Sequence, residues 1–336
     1  MSNVKKVLVI GVGSIGQRHL RCFQATGRAQ LSICEVNAAL REQIARTQGI
    51  GRAYAALDEA LAEGPDAAVV TTPAHLHVSM AIEAAEAGVH LLIEKPLGTS
   101  LEGLDRLASV VDQRRLAAAV AYVLRANPVF QAMREAITSG RFGPPVQVVV
   151  TSGQHFPTYR PAYRTIYYRD RATGGGAIQD ALTHLVNLAE WIVGPADRVL
   201  ADASHQVLEG VDVEDTVHLL SRHGPVMAAF ALNQHQAPNE TAITVVCRDG
   251  TARCEPFLNR WRWMNKPEEP WHDECAAPVE RDTLFTRQAG SFLDAIEGRG
   301  APLCSLAEGI QTLRVNLAAL ASCQSASWQT IERGCS

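Results

Sequence analysis

The sequence predicts an α/β protein in two parts: a doubly wound parallel sheet over residues 1–124, then an α+β region over residues 125–336 built on a large, mainly antiparallel sheet with helices on one face. Three observations carry this. Short branched apolar runs alternate with longer Ala/Leu/Glu-rich amphipathic segments up to about Tyr122, and strand–helix alternation of this length needs crossover connections, hence a parallel sheet covered on both faces. A glycine-rich loop follows the first of those runs. After Asn127-Pro128 the texture changes to β-rich runs separated by turn signals.

In the first part, strands are expected at 7–10, 30–34, 67–71 and 89–93, with a further one at 118–123. Helices are expected at 15–26, Ala38–Gln48, 57–63, 79–87 and 101–114. A helix at 129–138 opens the second part, followed by strands at 146–151, 199–205, 215–220, Val226–Asn233 and 242–247. Arg222-His223-Gly224-Pro225 and Arg248-Asp249-Gly250 sit between neighbouring runs, as hairpin turns do. Two helices, 284–297 and 306–324, close the chain, and there is no internal repeat.

Composition narrows the function. Hydrophobic residues make up 47% and charged residues 20% of the 336 positions, which excludes disordered and low-complexity classes. The net charge of −4 disfavours nucleic acid or an anionic membrane as the main partner and leaves small molecules. The eight cysteines (22, 34, 247, 254, 275, 304, 323, 335) contain no C-x-x-C pair and no close histidine at zinc spacing, so no metal site is expected and they read as reduced thiols of a cytoplasmic protein. The 7–10 run is stopped by glycines with no small-residue cleavage site after it, so it does not read as a secretory leader. The longest uncharged apolar stretch, 116–124, is about half of what a membrane span needs, so no membrane segment is expected.

Gly11-Val12-Gly13-Ser14-Ile15-Gly16 is G-x-G-x-x-G placed between a branched strand and an amphipathic helix, the context in which this weak hexapeptide signals a dinucleotide site. Gly11 permits the tight turn, Gly13 removes a side chain that would block a pyrophosphate, and Gly16 lets the helix approach the strand; Ser14 and Ile15 open the helix whose free N–H groups meet the anion. Glu35, 19 residues after Gly16, ends the second strand, where a carboxylate accepts hydrogen bonds from ribose hydroxyls and repels a 2′-phosphate. NAD is therefore favoured over NADP, with Arg41 the complicating residue. Thr71-Thr72-Pro73 follows the next main strand at the edge where such sheets bind ligands, and His77 stands close by as a further candidate for cofactor contact.

Two segments carry candidate chemistry. Glu94-Lys95-Pro96 comes directly after the strand at 89–93, so the Lys95 ammonium is aimed at the crevice where a nicotinamide belongs, with Glu94 and Lys95 both within reach of the cofactor. Gly174-Gly175-Gly176 precedes a helical segment in which Asp180 and His184, four residues apart, share one face. An imidazole oriented by a carboxylate is a good proton acceptor near neutral pH, although the same spacing also describes an ordinary surface ion pair.

Together, these motifs, Thr72-Pro73-x-x-x-His77, Glu94-Lys95-Pro96-Leu97, Arg125-x-Asn127-Pro128 and the late Ala295-Ile296-Glu297-Gly298-Arg299 with Pro302-x-Cys304-Ser305 resemble the glucose–fructose oxidoreductase / inositol dehydrogenase / MocA (Gfo/Idh/MocA) family over nearly the whole length. The resemblance implies a Rossmann domain and an open-faced second domain whose sheet usually forms the oligomer contact, here a homodimer or homotetramer. It implies Lys95 near the reacting hydroxyl, His184 as the acid/base and Asp180 beside it in the substrate pocket. Leu182 and Asn187 depart from the family pattern, which often has glycine and a second aspartate there.

The chemistry implied is hydride transfer between a nicotinamide and a secondary hydroxyl of a sugar, sugar acid, nucleotide sugar or cyclitol. A glycosidase or epimerase that oxidises only transiently and a non-catalytic dinucleotide sensor are the alternatives; Lys95, Asp180 and His184 together argue against the sensor. Four of the six tyrosines and four arginines fall between Gln154 and Thr173. Tyrosine offers flat surfaces to sugar rings and arginine forked donors to an anionic group, so Tyr163, Arg164 and Arg169, with Arg125, are the candidate substrate contacts, while a subunit interface would suit the same residues. Residues 255–280 show little periodicity and read as an excursion over the site or a partner contact.

Overall fold

A computed structural model of the chain describes residues 4–332. β1 (Lys5–Ile10) ends in four buried residues, as a strand covered on both faces must. It is followed by α1 (Ser14–Ala25), β2 (Ala29–Cys34), α2 (Ala38–Gln48), β3 (Ala53–Tyr54), α3 (Leu57–Ala62), β4 (Ala67–Val70), α4 (His77–Glu86), β5 (His90–Ile93), α5 (Leu104–Gln113) and β6 (Ala118–Val120). The strands form one sheet in the order β3-β2-β1-β4-β5-β6, every pairing parallel. The order reverses direction at β1 and β4, which makes the crevice outside their carboxyl ends the place where such sheets bind dinucleotides. The doubly wound sheet expected from sequence is therefore present, with the two-residue β3 the one strand that was too short to read.

The chain divides into two compact units, one running to Ala126 and including Glu280–Ile310, the other comprising Asn127–Val279 and the chain from Gln311. The boundary read from sequence, which assigned everything after residue 124 to the second part, is corrected for 280–310. The reason is packing: α9 (Arg281–Ile296) lies on α1, with the rings of Phe23 and Phe292 edge to face at 6.4 Å and Arg18 Nε 2.9 Å from Asp282 Oδ1. Periodicity shows that such a helix has an apolar face but not which surface covers it.

In the second unit, α6 (Pro128–Thr138) starts with Asn127 as its cap, the side chain accepting Val129 N–H, and proline at the first turn. β7 (Pro145–Gly153), α7 (Phe156–Tyr159), α8 (Thr183–Val193), β8 (Arg198–Ser204), β9 (Thr216–His223), β10 (Val226–Asn233), β11 (Glu240–Cys247), β12 (Gly250–Glu255), β13 (Arg260–Met264) and β14 (His272–Cys275) follow, and α10 (Leu306–Ser325) leads to β15 (Gln329–Thr330). The nine strands form one sheet in the order β14-β13-β12-β11-β7-β10-β9-β8-β15, antiparallel except for β7 beside β10. Alternate residues are buried, and the opposite face leaves Val149, Leu220 and Met227 exposed. Asn187 donates to Thr312 Oγ1 (3.0 Å) and Asn316 to Thr183 Oγ1 (2.8 Å), joining α8 to the later part of α10.

The segment 255–280 is not an excursion. It supplies β13 and β14, which extend the sheet edge, with Arg262 Nε 2.7 Å from Asp273 Oδ1 and Trp263 stacked on His272 at 4.0 Å. Half-exposed arginine, tryptophan and acidic residues on an edge hairpin satisfy one another across the strands, and that pairing leaves no apolar alternation to read.

Candidate active site

Parallel register sets Ile10, Val70 and Ile93 side by side, so the residues that follow them, Gly11, Thr71 and Glu94, form a row along one edge of the first unit's sheet. The row is held by Thr71 N–H to Ile10 O and Glu94 N–H to Val70 O, both 2.9 Å. Gly11 has φ +84°, a backbone that a side chain would strain. The Thr71 hydroxyl donates to the carbonyls of Ile10 (3.0 Å) and Gly11 (2.5 Å), so it locks the glycine turn from below. A Cβ on Gly16 would overlap the Gly11 carbonyl oxygen, which is why the first turn of α1 carries a glycine there.

Above this turn the residues fit a dinucleotide. A Cβ on Gly13 would meet nothing within 4 Å, leaving open space over the start of α1. That helix has no side-chain cap and no acidic residue in its first turn, so the amides around Ser14 and Ile15 are left for an anion. Glu35 Oε2 accepts Val12 N–H and Oε1 accepts Asn37 N–H, both at 3.0 Å, fixing the carboxylate at the end of β2. Arg41 turns to the Glu35 carbonyl oxygen (2.6 Å). Thr72 Oγ1 is buried with no hydrogen-bond partner among the described residues, and Pro73 beside it is exposed. A ribose hydroxyl at this edge would satisfy that orphaned hydroxyl.

Two expected cofactor contacts lie elsewhere. Glu94 is 5% exposed, and its carboxylate takes His19 Nε2–H (2.8 Å) and Lys95 N–H (2.9 Å). Burial alone would push its pKa up; the His19 hydrogen bond and charge with the Lys95 contacts outweigh that and hold it below the ordinary glutamate value. His77 is 2% exposed and turns both ring nitrogens to backbone carbonyls. Both residues support the edge from within instead of facing a ligand. Lys95, directly after β5, is half-buried.

In the second unit the glycine triplet is a close-packed turn. A Cβ on Gly175 would overlap the Tyr168 carbonyl oxygen, and Gly176 combines φ +88° with the Glu214 carboxylate at its α-carbon. Glu214, 3% exposed, accepts Ile178 N–H at 3.2 Å and pairs with Arg171 at 2.6 Å. The segment Ile178–Leu182 is a π-helical turn, a feature often found at functional sites, and α8 begins at Thr183. A wider turn changes which residues align, so the four-residue spacing of Asp180 and His184 does not by itself give them a shared face. Asp180 is 1% exposed and held by Arg160 Nη1 (3.1 Å to Oδ2) and by the Tyr167 hydroxyl (2.7 Å to Oδ1). The Asp180 charge raises the pKa of the Arg160 guanidinium, which lies over the Phe156 ring at 5.2 Å. His184 is half-buried on α8.

Arg160 and Tyr167 were not singled out from sequence, although they lie within the Tyr/Arg-rich segment that was. Of the residues chosen there, Tyr163 is 1% exposed, packs with Phe156, Tyr168, Leu208, Val211 and Val213, and donates to Glu209 O (2.9 Å). Arg164 bonds the Tyr163 hydroxyl (3.0 Å) and the Glu209 carboxylate (3.2 Å), so this pair anchors the segment, while Arg169 is exposed. Arg125, also expected at the substrate, is 1% exposed inside the first unit and bonds Leu303 O and Glu308. Leu182 and Asn187, the departures from the family pattern, are both buried, Asn187 bonded to Thr312.

A parallel sheet of this order, with an open glycine turn and a fixed carboxylate closing β2, defines the class of NAD-binding oxidoreductases. Residues 5–122 match the family model described as oxidoreductase family, NAD-binding Rossmann fold, and residues 130–253 that of the GFO/IDH/MocA C-terminal domain. A UDP-N-acetylglucosamine 3-dehydrogenase of Acidithiobacillus ferrooxidans is 30% identical, covering 93% of this chain and 94% of its own. A 1,5-anhydro-D-fructose reductase of Ensifer adhaerens is 26% identical over 97% and 98% of the two chains. Among solved structures, the WlbA dehydrogenase of Bordetella pertussis in complex with NADH and UDP-GlcNAcA superposes with a TM-score of 0.84 at 26% identity, over 98% of this chain and 99% of the other. The chain belongs to the Gfo/Idh/MocA family of oxidoreductases, and its cofactor is NAD. No helix of the described residues is long and apolar enough to cross a membrane.

Proposed function

We propose that the chain is a dehydrogenase that oxidises a secondary hydroxyl of a sugar, sugar acid, nucleotide sugar or cyclitol, or runs the reverse reduction. The observation that carries this is the row along the sheet edge, in which the glycine turn, the Thr71-Thr72 segment and Lys95 follow three adjacent parallel strands. The names of the relatives, a sugar reductase and a nucleotide-sugar dehydrogenase, support the substrate class.

In this reading Gly13 and the amides at Ser14 and Ile15 take the pyrophosphate, Glu35 the adenosine ribose, and Thr72 with Pro73 the other ribose. The bound NAD supplies the hydride acceptor. His184 would take the O–H proton of the substrate as its carbinol is oxidised to a carbonyl, and the Lys95 ammonium would stabilise the developing oxyanion by a charge-assisted hydrogen bond. Asp180, held by the Arg160 guanidinium and the Tyr167 hydroxyl, orders the substrate side of the second unit. An anionic substituent on the substrate fits the exposed guanidinium of Arg169 and the partly exposed Arg160. Two further parts of the proposal are association into homodimers or homotetramers through the sheet face bearing Val149, Leu220 and Met227, and a cytoplasmic setting, in keeping with the free thiols of the described cysteines.

The test is steady NADH production by the purified protein with a panel of inositols, sugar acids, aminosugars and nucleotide sugars, each with NAD and NADP. Turnover with at least one member and NAD preferred supports the proposal. Leaving-group release without accumulating NADH would overturn it in favour of transient oxidation.

A further inference from the structure

α8 is buried on almost every side: eight of its eleven residues are covered, and His184, Trp191 and Val193 are the partly exposed ones. Burial this complete gives a helix no preferred rotation about its own axis. The π-helical turn at Ile178–Leu182 also interrupts the regular succession of residues just ahead of α8, so its rotation is not simply carried over from that side. Directional contacts have to supply it.

The second unit holds such a set. Thr183, Asn187 and Glu190 are buried and spaced four and three residues apart, hence on one side of α8, and α10 meets them with the buried Thr312 and Asn316. Asn316 Nδ2 donates to Thr183 Oγ1 (2.8 Å), Asn187 Nδ2 to Thr312 Oγ1 (3.0 Å), and the Thr312 hydroxyl to Glu190 Oε2 (2.7 Å). Gln311 Nε2 and Ala196 N–H complete the carboxylate at 3.0 and 3.2 Å. Donors and acceptors match throughout: the amides donate, the Thr312 hydroxyl accepts once and donates once, and the carboxylate accepts. Asn316 Oδ1, however, is buried with no hydrogen-bond partner among the described residues, so an apolar side chain would serve packing better there. His184 follows Thr183 and so lies about 100° round the helix from this polar ladder.

We infer that Asn316 and Thr312 are positioning residues that fix the rotation of α8 and thereby the placement of the His184 imidazole. The inference rests on the acid/base role given to His184 under Proposed function. Side-chain tips stand about 5–6 Å from a helix axis, so about 10° of rotation moves one by about 1 Å. A misplacement of that size costs on the order of 10²-fold in rate, which bounds the effect.

Asn316→Leu removes the contact beside His184 together with the unpartnered acceptor, and leaves the Glu190 carboxylate and its donors in place. On the panel substrate that wild type turns over fastest, kcat is expected to fall about ten-fold, with NADH affinity within about two-fold and an unfolding midpoint within about 3 °C of wild type. Loss of packing alone would lower the midpoint and spare kcat. Thr312→Val, which cuts the ladder at its middle, is expected to lower kcat to a similar degree, and Thr312→Ser, which keeps the hydroxyl, to hold it within about three-fold of wild type. In a His184→Ala background, Asn316→Leu is expected to change kcat by less than about two-fold, because the ring it positions is gone. The ring is also read without substrate by NMR: the His184 resonances, assigned by their loss in His184→Ala, are expected to move in Asn316→Leu and Thr312→Val and to stay in place in Thr312→Ser. Wild-type kcat with unmoved resonances in both Asn316→Leu and Thr312→Val overturns the inference, and so does an equal fold-loss from Asn316→Leu with and without His184. If instead His184→Ala turns over like wild type while the resonances move as expected, the role given to His184 falls and the hold of the ladder on the ring stands.

Discussion

Replacing His19 by leucine tests how the edge beneath the cofactor turn is held. The imidazole is fully buried, 2.8 Å from Glu94 Oε1 and edge-on to Phe285 with ring centroids 5.4 Å apart. Leucine suits the apolar surroundings, so the main loss is one donor to a buried carboxylate that retains Lys95 N–H. Hydrogen bonds to charged groups contribute about 1.5–3 kcal/mol, and stripping a buried charge of its whole partner about 3–5 kcal/mol. Because one donor survives, about 2–3 kcal/mol is expected. At about 2–4 °C per kcal/mol for a unit of this size, the unfolding midpoint should fall by about 4–12 °C near pH 7. The pH dependence follows from Glu94. Its folded pKa lies below the ordinary value of 4.5, so in wild type it contributes stability that is fully present above 4.5 and is lost as pH falls through the lowered value. Without His19, burial pushes that pKa back up, and the variant escapes part of its penalty by protonating as the pH approaches 4.5. Thermal unfolding by circular dichroism at pH 7 and at pH 4.5 reads both effects. A midpoint within about 1 °C of wild type at pH 7, or a difference that grows on acidification, would refute the reasoning.

Two further outcomes follow from the site. Glu35→Ser removes the carboxylate at the end of β2 and is expected to weaken NADH binding about ten-fold, the equivalent of one good hydrogen bond, while NADPH gains relative to it; fluorescence titration with both cofactors checks this, and an unchanged ratio contradicts the role of Glu35. Arg160→Gln removes a cationic partner of the buried Asp180 while keeping the Tyr167 hydroxyl, and is expected to lower kcat/KM by about 10- to 100-fold with NADH affinity within about three-fold, measured by steady-state kinetics beside titration; a loss confined to NADH binding would contradict the role proposed for Arg160.

The first unit was legible because local signals there agree with the tertiary answer. The run to Ile10, the glycine turn and Glu35 each have a single reading in a parallel sheet, and the structure places all three on one edge. Residues 280–310 were assigned to the wrong part because what holds α9 is the Phe23–Phe292 contact and the Arg18–Asp282 pair, made with residues more than 200 positions away. Within the candidate site, sequence identified the segments but not the directions of their side chains. Tyr163 and Arg164 were chosen from the aromatic and basic run, yet Tyr163 is core and Arg164 is tied to Glu209, while the neighbours Arg160 and Tyr167 reach Asp180. A run of short helical turns rotates successive residues onto different sides, and composition carries no record of that rotation. Glu214 escaped notice for a related reason: a lone glutamate before β9 gives no hint that Gly176 was kept small to receive it.

The most direct measurement of the central claim compares Lys95→Ala and His184→Ala with wild type, determining kcat on the best panel substrate and the dissociation constant of NADH for each. The account predicts that both variants lose about two to four orders of magnitude in kcat while binding NADH within about three-fold of wild type. Wild-type turnover in either variant, or loss of NADH binding in step with turnover in both, would contradict it.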